Sequence, residues 1–234
     1  MRRPIISDYI ITFGDYRRNA TTSMIRRAAN APIHILDIGC GHGETTHELK
    51  NTYPQADVTG LDLERENVMA ARRLTPDLNH VQGDGGKLPF SDHSFDMIVM
   101  LEVIEHFTNP RALLSEARRT MKRTGVLVLS TPNPNSLTAC TGRMMRRIMR
   151  LPAWNAWDTS HQRLYSPGDL ADLLRAEGFE VCDMRGFWPL PDGFQKLPRG
   201  VGEQWPIRAF TKGVWESGFM QRSSFITIAV ARLS

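Results

Sequence analysis

From about residue 33 onward, short β-branched and aliphatic runs alternate with stretches of helical periodicity, and no other feature of the chain constrains its fold as strongly. Parallel neighbours in a sheet need long crossover connections, so this alternation is the signature of βαβ units. The runs predict seven strands, over 33–38, 57–63, 79–82, 95–101, 125–131, 179–185 and 224–232. Between them the helix signals are legible. Asn109 can cap a helix with Pro110 in its first position, and Leu113, Leu114, Ala117 and Met121 line one face before Gly125 stops it. Ser166, Pro167 and Asp169 form a second cap ahead of Leu170, Leu173 and Leu174, with Gly178 as terminator. The expected class is α/β, a parallel sheet flanked by helices and ending in a strand with no helix after it.

At 234 residues and 41% apolar content the chain can bury the core of one domain spanning 1–234. Three segments fall outside the alternation. Residues 1–30 read as an N-terminal helical cap, and 132–165 and 186–223 as insertions long enough to form a substrate lid. A net charge of +4, from 29 basic and 25 acidic residues, gives no reason to expect a nucleic-acid partner. Cys40, Cys140 and Cys182 are far apart and odd in number, so a reducing, cytoplasmic setting is expected and no zinc or redox pair. Pro4 and Asp8 break the apolar stretch after Met1-Arg2-Arg3, leaving no signal-peptide core, and no run approaches the roughly 18 apolar residues of a transmembrane helix.

The first predicted strand runs directly into Gly39-Cys40-Gly41-His42-Gly43 and then a helix, a turn in which bare backbone can approach a nucleotide-like ligand. Three glycines also satisfy a tight turn for purely structural reasons. The acids at the following strand ends narrow the choice. Asp62 closes the second strand, where a carboxylate can accept both ribose hydroxyls, and Asp84 follows the third, within reach of an adenine amino group. Both could instead cap their own loops.

These residues resemble the motifs of class I S-adenosylmethionine-dependent methyltransferases. Leu36-Asp37-Ile38-Gly39-Cys40-Gly41-His42-Gly43 matches the first motif, Gly60-Leu61-Asp62-Leu63 the ribose motif and Gly83-Asp84-Gly85-Gly86 the adenine motif. Ser94 to Val99 with Leu101 to His106 is similar to the fourth-strand motif, and Gly125 to Asn133 to the fifth. The resemblance covers residues 33–185 and implies a Rossmann-like sheet of order 3-2-1-4-5-7-6 with the seventh strand antiparallel. It implies S-adenosyl-L-methionine as cofactor and S-adenosyl-L-homocysteine as product. It makes Asp37 the residue that orients the methionine end, Asp62 the ribose ligand, Asp84 the adenine ligand, and the backbone near Leu101 the contact for the methionine amine. Gly39, Cys40, Gly41, Leu63, Gly83 and Gly85 complete the cofactor-binding set. A dinucleotide fingerprint would need glycine where Glu44 stands, and Glu44 would oppose a pyrophosphate; S-adenosylmethionine has no phosphate to repel.

The resemblance points to small-molecule methyltransferases, including ubiquinone-pathway O-methyltransferases, and so to an enzyme with a small-molecule acceptor, methylated at oxygen. A non-catalytic cofactor-binding or partner-activating protein of the same fold is the alternative. Methyl transfer to a hydroxyl needs a base, and His161 and His106 are the candidates, with Glu105 a further one. His34, His42, His47, His80 and His93 show no metal-site spacing and read as structural or exposed. The fourth strand ends in Leu101-Glu102-Val103-Ile104 rather than an Asn-Pro-Pro-Tyr type of motif, which speaks against methylation of nucleic-acid bases. Leu137, Cys140, Met144, Met145, Ile148 and Leu151 oppose Arg143, Arg146, Arg147 and Arg150 at helical spacing. This basic amphipathic helix over 137–151 has three readings: a solvated face, a grip on an anionic acceptor, or peripheral membrane contact. Phe187, Trp188, Phe194, Trp205, Phe210, Trp215 and Phe219 could wall an apolar pocket or form a satellite core. Tyr9, Phe13 and Tyr16 lie where a lid over the cofactor or a docking helix would put them.

Overall fold

The computed structural model describes residues 23–29, 31–136, 160–187 and 226–234, together with 139, 140, 144, 147 and 148. The elements are β1 (His34–Ile38), α1 (Glu44–Thr52), β2 (Asp57–Asp62), α2 (Arg65–Leu74), β3 (Asn79–Gln82), β4 (Phe95–Leu101), a 3-10 turn (Ile104–His106), α3 (Pro110–Thr120), β5 (Met121–Pro132), α4 (Pro167–Ala176), β6 (Phe179–Phe187) and β7 (Ile226–Leu233). They build one seven-stranded sheet of order β3-β2-β1-β4-β5-β7-β6. Strands β1 to β5 pair in parallel, and β7 lies antiparallel between β5 and β6. The strand order reverses between β1 and β4, which leaves a crevice beyond their carboxyl ends, where open α/β sheets bind ligands.

Period-two alternation divides the core between the two faces of the sheet. Leu36, Ile98, Met100, Leu127, Leu129 and Ala229 point to the face covered by Leu113, Leu114 and Ala117 of α3 and Leu170 and Leu174 of α4. Ile35, Met97, Val99, Val126, Val128 and Ile228 point the other way, against Leu49 of α1 and Met24, Ile25 and Ala28. Nearly continuous apolar strands are what a sheet covered on both faces requires.

Both expected caps are present. Asn109 accepts from the Ala112 N–H at 3.4 Å, and Ser166 with Asp169 forms a reciprocal capping box ahead of Pro167. Gly178, at φ +82°, ends α4 in the left-handed conformation.

Two expectations at the α3–β5 junction are corrected. The helix stops at Thr120, not before Gly125, and fully buried Met121 opens β5 opposite Phe95. The Thr120 hydroxyl closes the last turn by donating to the Glu116 carbonyl at 2.8 Å, so helix passes into strand without a loop. Gly125 lies inside β5, where a Cβ would sit 2.8 Å from the Lys122 carbonyl, next to the register irregularity between Phe95 and Met97. Its glycine answers a close backbone approach rather than a helix terminus.

Residues 23–28 are helical and packed on the sheet, with the Tyr53 hydroxyl donating to the carbonyls of Ile25 at 3.0 Å and Ala29 at 2.9 Å. Tyr9, Phe13 and Tyr16 lie outside the described residues. Among the described residues no helix is long and apolar enough to cross a membrane.

Candidate functional site

The turn after β1 separates the structural uses of glycine from an open one. Gly39 adopts φ +70° and its N–H donates to the Leu61 carbonyl at 2.7 Å; a Cβ there would fall 2.4 Å from Val103 Cγ2. At Gly43 a Cβ would meet that of Ala71 at 2.9 Å. At Gly41 it would meet no described residue within 4 Å. Among the described residues, Gly41 is therefore where the loop backbone is open. Cys40 faces the core instead: its thiol is buried, its N–H bonds to the Leu61 carbonyl, and burial followed by the charge of Asp37 pushes its pKa up to about 12. Such a thiol is not a nucleophile at neutral pH.

Asp62, at the end of β2, is 8% exposed and organises the loop. Its Oδ2 accepts from the Gly41 N–H at 2.8 Å, and its Oδ1 from the Glu64 N–H at 3.0 Å and Asn67 Nδ2 at 3.1 Å. Next to it Leu63 leaves 61% of its surface exposed, an apolar face beside a carboxylate. Asp37, in β1, is almost fully buried and accepts from the Thr46 hydroxyl at 2.7 Å. Burial raises its pKa to about 7; the Thr46 hydrogen bond opposes that shift and the charge of Asp62 adds to it. Asp84 is exposed after β3, with Oδ1 accepting from the Gly86 N–H at 2.8 Å, so it caps its own loop while leaving its carboxylate open to solvent. Gly83 packs on Leu61, and a Cβ at buried Gly85 would press on Leu113 at 2.9 Å. Leu101 ends β4 beside Ser130 of β5.

Beyond Leu101 the chain makes a strained turn. Glu102 holds φ +58°, a left-handed conformation rare for a residue with a side chain. Its N–H donates to the Ser130 carbonyl at 3.1 Å, and its Oε1 accepts from the Ser130 hydroxyl at 2.7 Å. The 3-10 turn that follows presents Glu105, fully buried, and His106, exposed. Glu105 Oε2 accepts from the Thr131 hydroxyl at 3.0 Å, and its backbone carbonyl accepts from the N–H groups of Gln162 at 2.8 Å and Arg163 at 3.2 Å. These bonds bring the segment before α4 onto the end of β4. His106 and His161, far apart in sequence, thereby meet with ring centroids 4.9 Å apart. One side-chain donor atom from each of Glu105, His106 and His161 lies within 4.8 Å of the others. Ser160 Oγ stands 3.0 Å from His106 Nδ1. Tyr165 is buried below them, its hydroxyl without a hydrogen-bond partner among the described residues and Arg163 5.3 Å from its ring centroid.

Thr46, Ser130, Thr131 and Ser160 are site residues that the sequence reading did not single out. Ser130-Thr131 carried a signal, two hydroxyls ending an otherwise apolar strand. Of the basic helix, Cys140, Met144, Arg147 and Ile148 are described and exposed, Met144 at 57% and Ile148 at 69%. Its remaining residues, and Trp188, Phe194, Trp205, Phe210, Trp215 and Phe219, lie outside the described residues, as does the side chain of Phe187.

A crevice at the reversal of strand order, an open glycine backbone and acids on successive strand ends define a class I S-adenosylmethionine-dependent methyltransferase. The chain belongs to the methyltransferase-domain family, whose model matches residues 13–183. Among curated relatives, the ubiquinone biosynthesis O-methyltransferase of Roseobacter denitrificans is 31% identical over 200 residues, 80% of this chain and 75% of that protein. The demethylmenaquinone methyltransferase of Thermotoga maritima is 29% identical over 163 residues, 64% of this chain and 71% of that protein. Among solved structures, a SAM-dependent methyltransferase from Archaeoglobus fulgidus superposes with TM-score 0.62 at 21% identity, over 92% of this chain and 94% of its own. The cyclase SpnF superposes with TM-score 0.65 at 18% identity, over 95% of this chain and 84% of its own. S-adenosylmethionine is the cofactor of this family member and S-adenosylhomocysteine the product. The open face at Gly41 and the carboxylate of Asp62 beside exposed Leu63 fit an adenosyl group.

Proposed function

We propose that this methyltransferase works in the cytoplasm and O-methylates a small molecule, with His161 as the base that accepts the acceptor's proton and His106 as its neighbour. The observation that carries this reading is the meeting of two imidazoles and a buried carboxylate at the end of β4, beyond the expected methionine end of the cofactor. The cofactor supplies an activated methyl group on a sulfonium. The chain supplies alignment: Asp37 for the methionine end, the backbone at Leu101 for its amine, Asp62 for the ribose, Asp84 and Leu63 for the adenine, with Gly41 opening the loop backbone to the ligand and Gly39, Gly83 and Gly85 letting the surrounding loops pack closely. The names of the relatives, a ubiquinone biosynthesis O-methyltransferase and a demethylmenaquinone methyltransferase, support a small-molecule acceptor. The exposed Met144 and Ile148 beside Arg147 support its collection from an anionic membrane surface.

The test is a methyl-transfer screen against pooled cell metabolites read by mass spectrometry. A product carrying one added methyl on oxygen, with turnover lost in His161→Ala and cofactor affinity kept, is the expected result. Equal loss from His106→Ala alone would move the base to His106. The fold is also that of the cyclase SpnF, so a non-catalytic or non-transferring role is the second reading. A screen that binds cofactor yet methylates nothing would favour it.

A further inference from the structure

The connection from β3 to β4, residues 83–94, passes two strands, β2 and β1, without forming a helix of its own, so its backbone groups must find partners elsewhere. At its start the Gly83 N–H donates to the Asp62 carbonyl at 2.9 Å. From Leu88 onward it is held by two side chains one turn apart on α3, Glu116 and Arg119. Glu116 Oε2 accepts from the Leu88 N–H at 2.7 Å, and Arg119 Nη2 donates to the Leu88 carbonyl at 3.1 Å, so the pair grips both backbone groups of one residue. Arg119 Nη1 donates to the Phe90 carbonyl at 2.8 Å and to Asp92 Oδ1 at 2.7 Å, while Nε and Nη2 donate to the two Glu116 oxygens at 2.8 Å. A guanidinium fork can hold so many acceptors at fixed angles. It also holds the Glu116 carboxyl below the usual carboxylate range, so both partners are charged at neutral pH. The loop closes on the same turn of helix. The His93 N–H donates to the Arg119 carbonyl at 3.0 Å and the Ser94 N–H to the Thr120 carbonyl at 2.7 Å, with His93 held in the left-handed region at φ +54°.

Between the anchors at Gly83 and Leu88 lies only the turn from Asp84 to Lys87. It is closed by the Lys87 N–H donating to the Asp84 carbonyl at 2.9 Å and the Gly86 N–H donating to Asp84 Oδ1 at 2.8 Å. Among the described residues Asp84 makes no hydrogen bond outside this turn. Gly85 seats the turn against Leu113, but apolar contact is not directional and leaves open which way the carboxylate faces. The direction comes from the polar anchors. We propose that Glu116 and Arg119 are positioning residues for the cofactor's base: by fixing Leu88 they hold Asp84 where it accepts from the adenine amino group, and so set the preference for an amino-bearing purine. This rests on the adenine role of Asp84 given above. The pair acts through the loop and not on the ligand.

The experiment is calorimetric titration of the full chain with S-adenosylhomocysteine and with its analogue carrying hydrogen in place of the adenine amino group. The proteins are the wild type, Asp84→Ala, Arg119→Ala, Arg119→Lys and the double variant Asp84→Ala with Arg119→Ala. A hydrogen bond to a charged acceptor corresponds to a preference of about 10-fold or more for the amino-bearing ligand. We expect that preference in the wild type and its fall to about 3-fold or less in both Asp84→Ala and Arg119→Ala. The double variant should lose no more than Asp84→Ala alone, because two residues serving one contact are not additive; a further loss would show Arg119 acting by another route and overturn the proposal. A merely structural Arg119 would lower Tm and weaken both ligands alike. A full preference in Arg119→Ala with native near-ultraviolet dichroism, where Asp84→Ala has lost it, therefore overturns the proposal and leaves the role of Asp84 standing. An unchanged ratio in Asp84→Ala instead removes the adenine role itself, and the proposal with it. If Arg119→Ala does not fold, Arg119→Lys decides: one ammonium cannot reach Leu88, Phe90, Asp92 and Glu116 together, so the same loss is expected and a retained preference overturns the assignment.

Discussion

Asp37 shows how far one buried side chain couples the site to stability. Its folded pKa of about 7 stands above the ordinary aspartate value of 3.8, so between those values the folded protein binds more protons than the unfolded chain. Stability from this group is therefore complete below about pH 4, falls as pH rises, and is lost by about pH 7, by an amount on the order of 3 to 5 kcal/mol. A cofactor carrying ammonium and sulfonium charges favours the ionised form, so binding near pH 6.5 should release a proton, seen as a buffer-dependent calorimetric enthalpy. Asp37→Asn should flatten the denaturation-derived stability between pH 4 and 7 and abolish the proton release; a slope like that of the wild type would refute the assignment. At this scale the site was half legible. Asp37, Asp62 and Asp84 could be proposed as cofactor ligands because their residue type coincides with a predicted strand end. The Asp37–Thr46 and Glu105–Thr131 bonds could not, because each depends on how an element seats on the sheet. The His106–His161 contact was missed for the same reason: both residues were candidates, but only the backbone bonds from Gln162 and Arg163 to Glu105 bring them together.

The elements were more legible than their boundaries. Caps at Asn109 and Ser166 read correctly because capping is local chemistry between a side chain and the next N–H groups. The end of α3 did not, because Met121 continues the helical apolar stripe by spacing while its burial against Phe95 is a property of the sheet. The β1–α1 turn joins both kinds of information. Its glycines are visible in sequence, but only the packing shows that the Cα of Gly39 is pressed against Val103 while that of Gly41 faces no described side chain. Gly39→Ala should thus destabilise the protein by about 2 to 4 kcal/mol, combining a left-handed backbone with a displaced Val103. Gly41→Ala adds no contact and, beyond the milder backbone strain at φ +54°, should act on cofactor affinity. Urea denaturation of the two variants with and without cofactor separates these effects; equal loss of stability in both would contradict the division of roles.

For the whole molecule, the decisive property is that the crevice proposed for the cofactor is made by the ends of four adjacent strands. Asp62 of β2 reaches Gly41 in the loop after β1, β3 carries Asp84 beside them, and β4 delivers Leu101 across the reversal of order. A ligand seated there ties together segments that unfolding would separate, and one that binds only the folded state must stabilise it. At a concentration about 100 times its Kd, S-adenosylmethionine should add about 2.7 kcal/mol. For a chain of this length that corresponds to a rise in Tm of roughly 5 to 10 °C. S-adenosylhomocysteine should do the same, and NAD should not. Asp62→Ala removes a carboxylate that both braces the loop and, in the proposed role, accepts from the ribose, so two separable losses are expected. The Tm without ligand falls because the Gly41 and Asn67 donors lose their acceptor. The ligand-induced rise also shrinks, to about two thirds of the wild-type value or less, as affinity weakens by about 1 to 3 kcal/mol. Differential scanning calorimetry at matched ligand concentrations distinguishes them. A lower starting Tm with the full ligand-induced rise would leave Asp62 a purely structural brace of the glycine loop and take the ribose contact elsewhere.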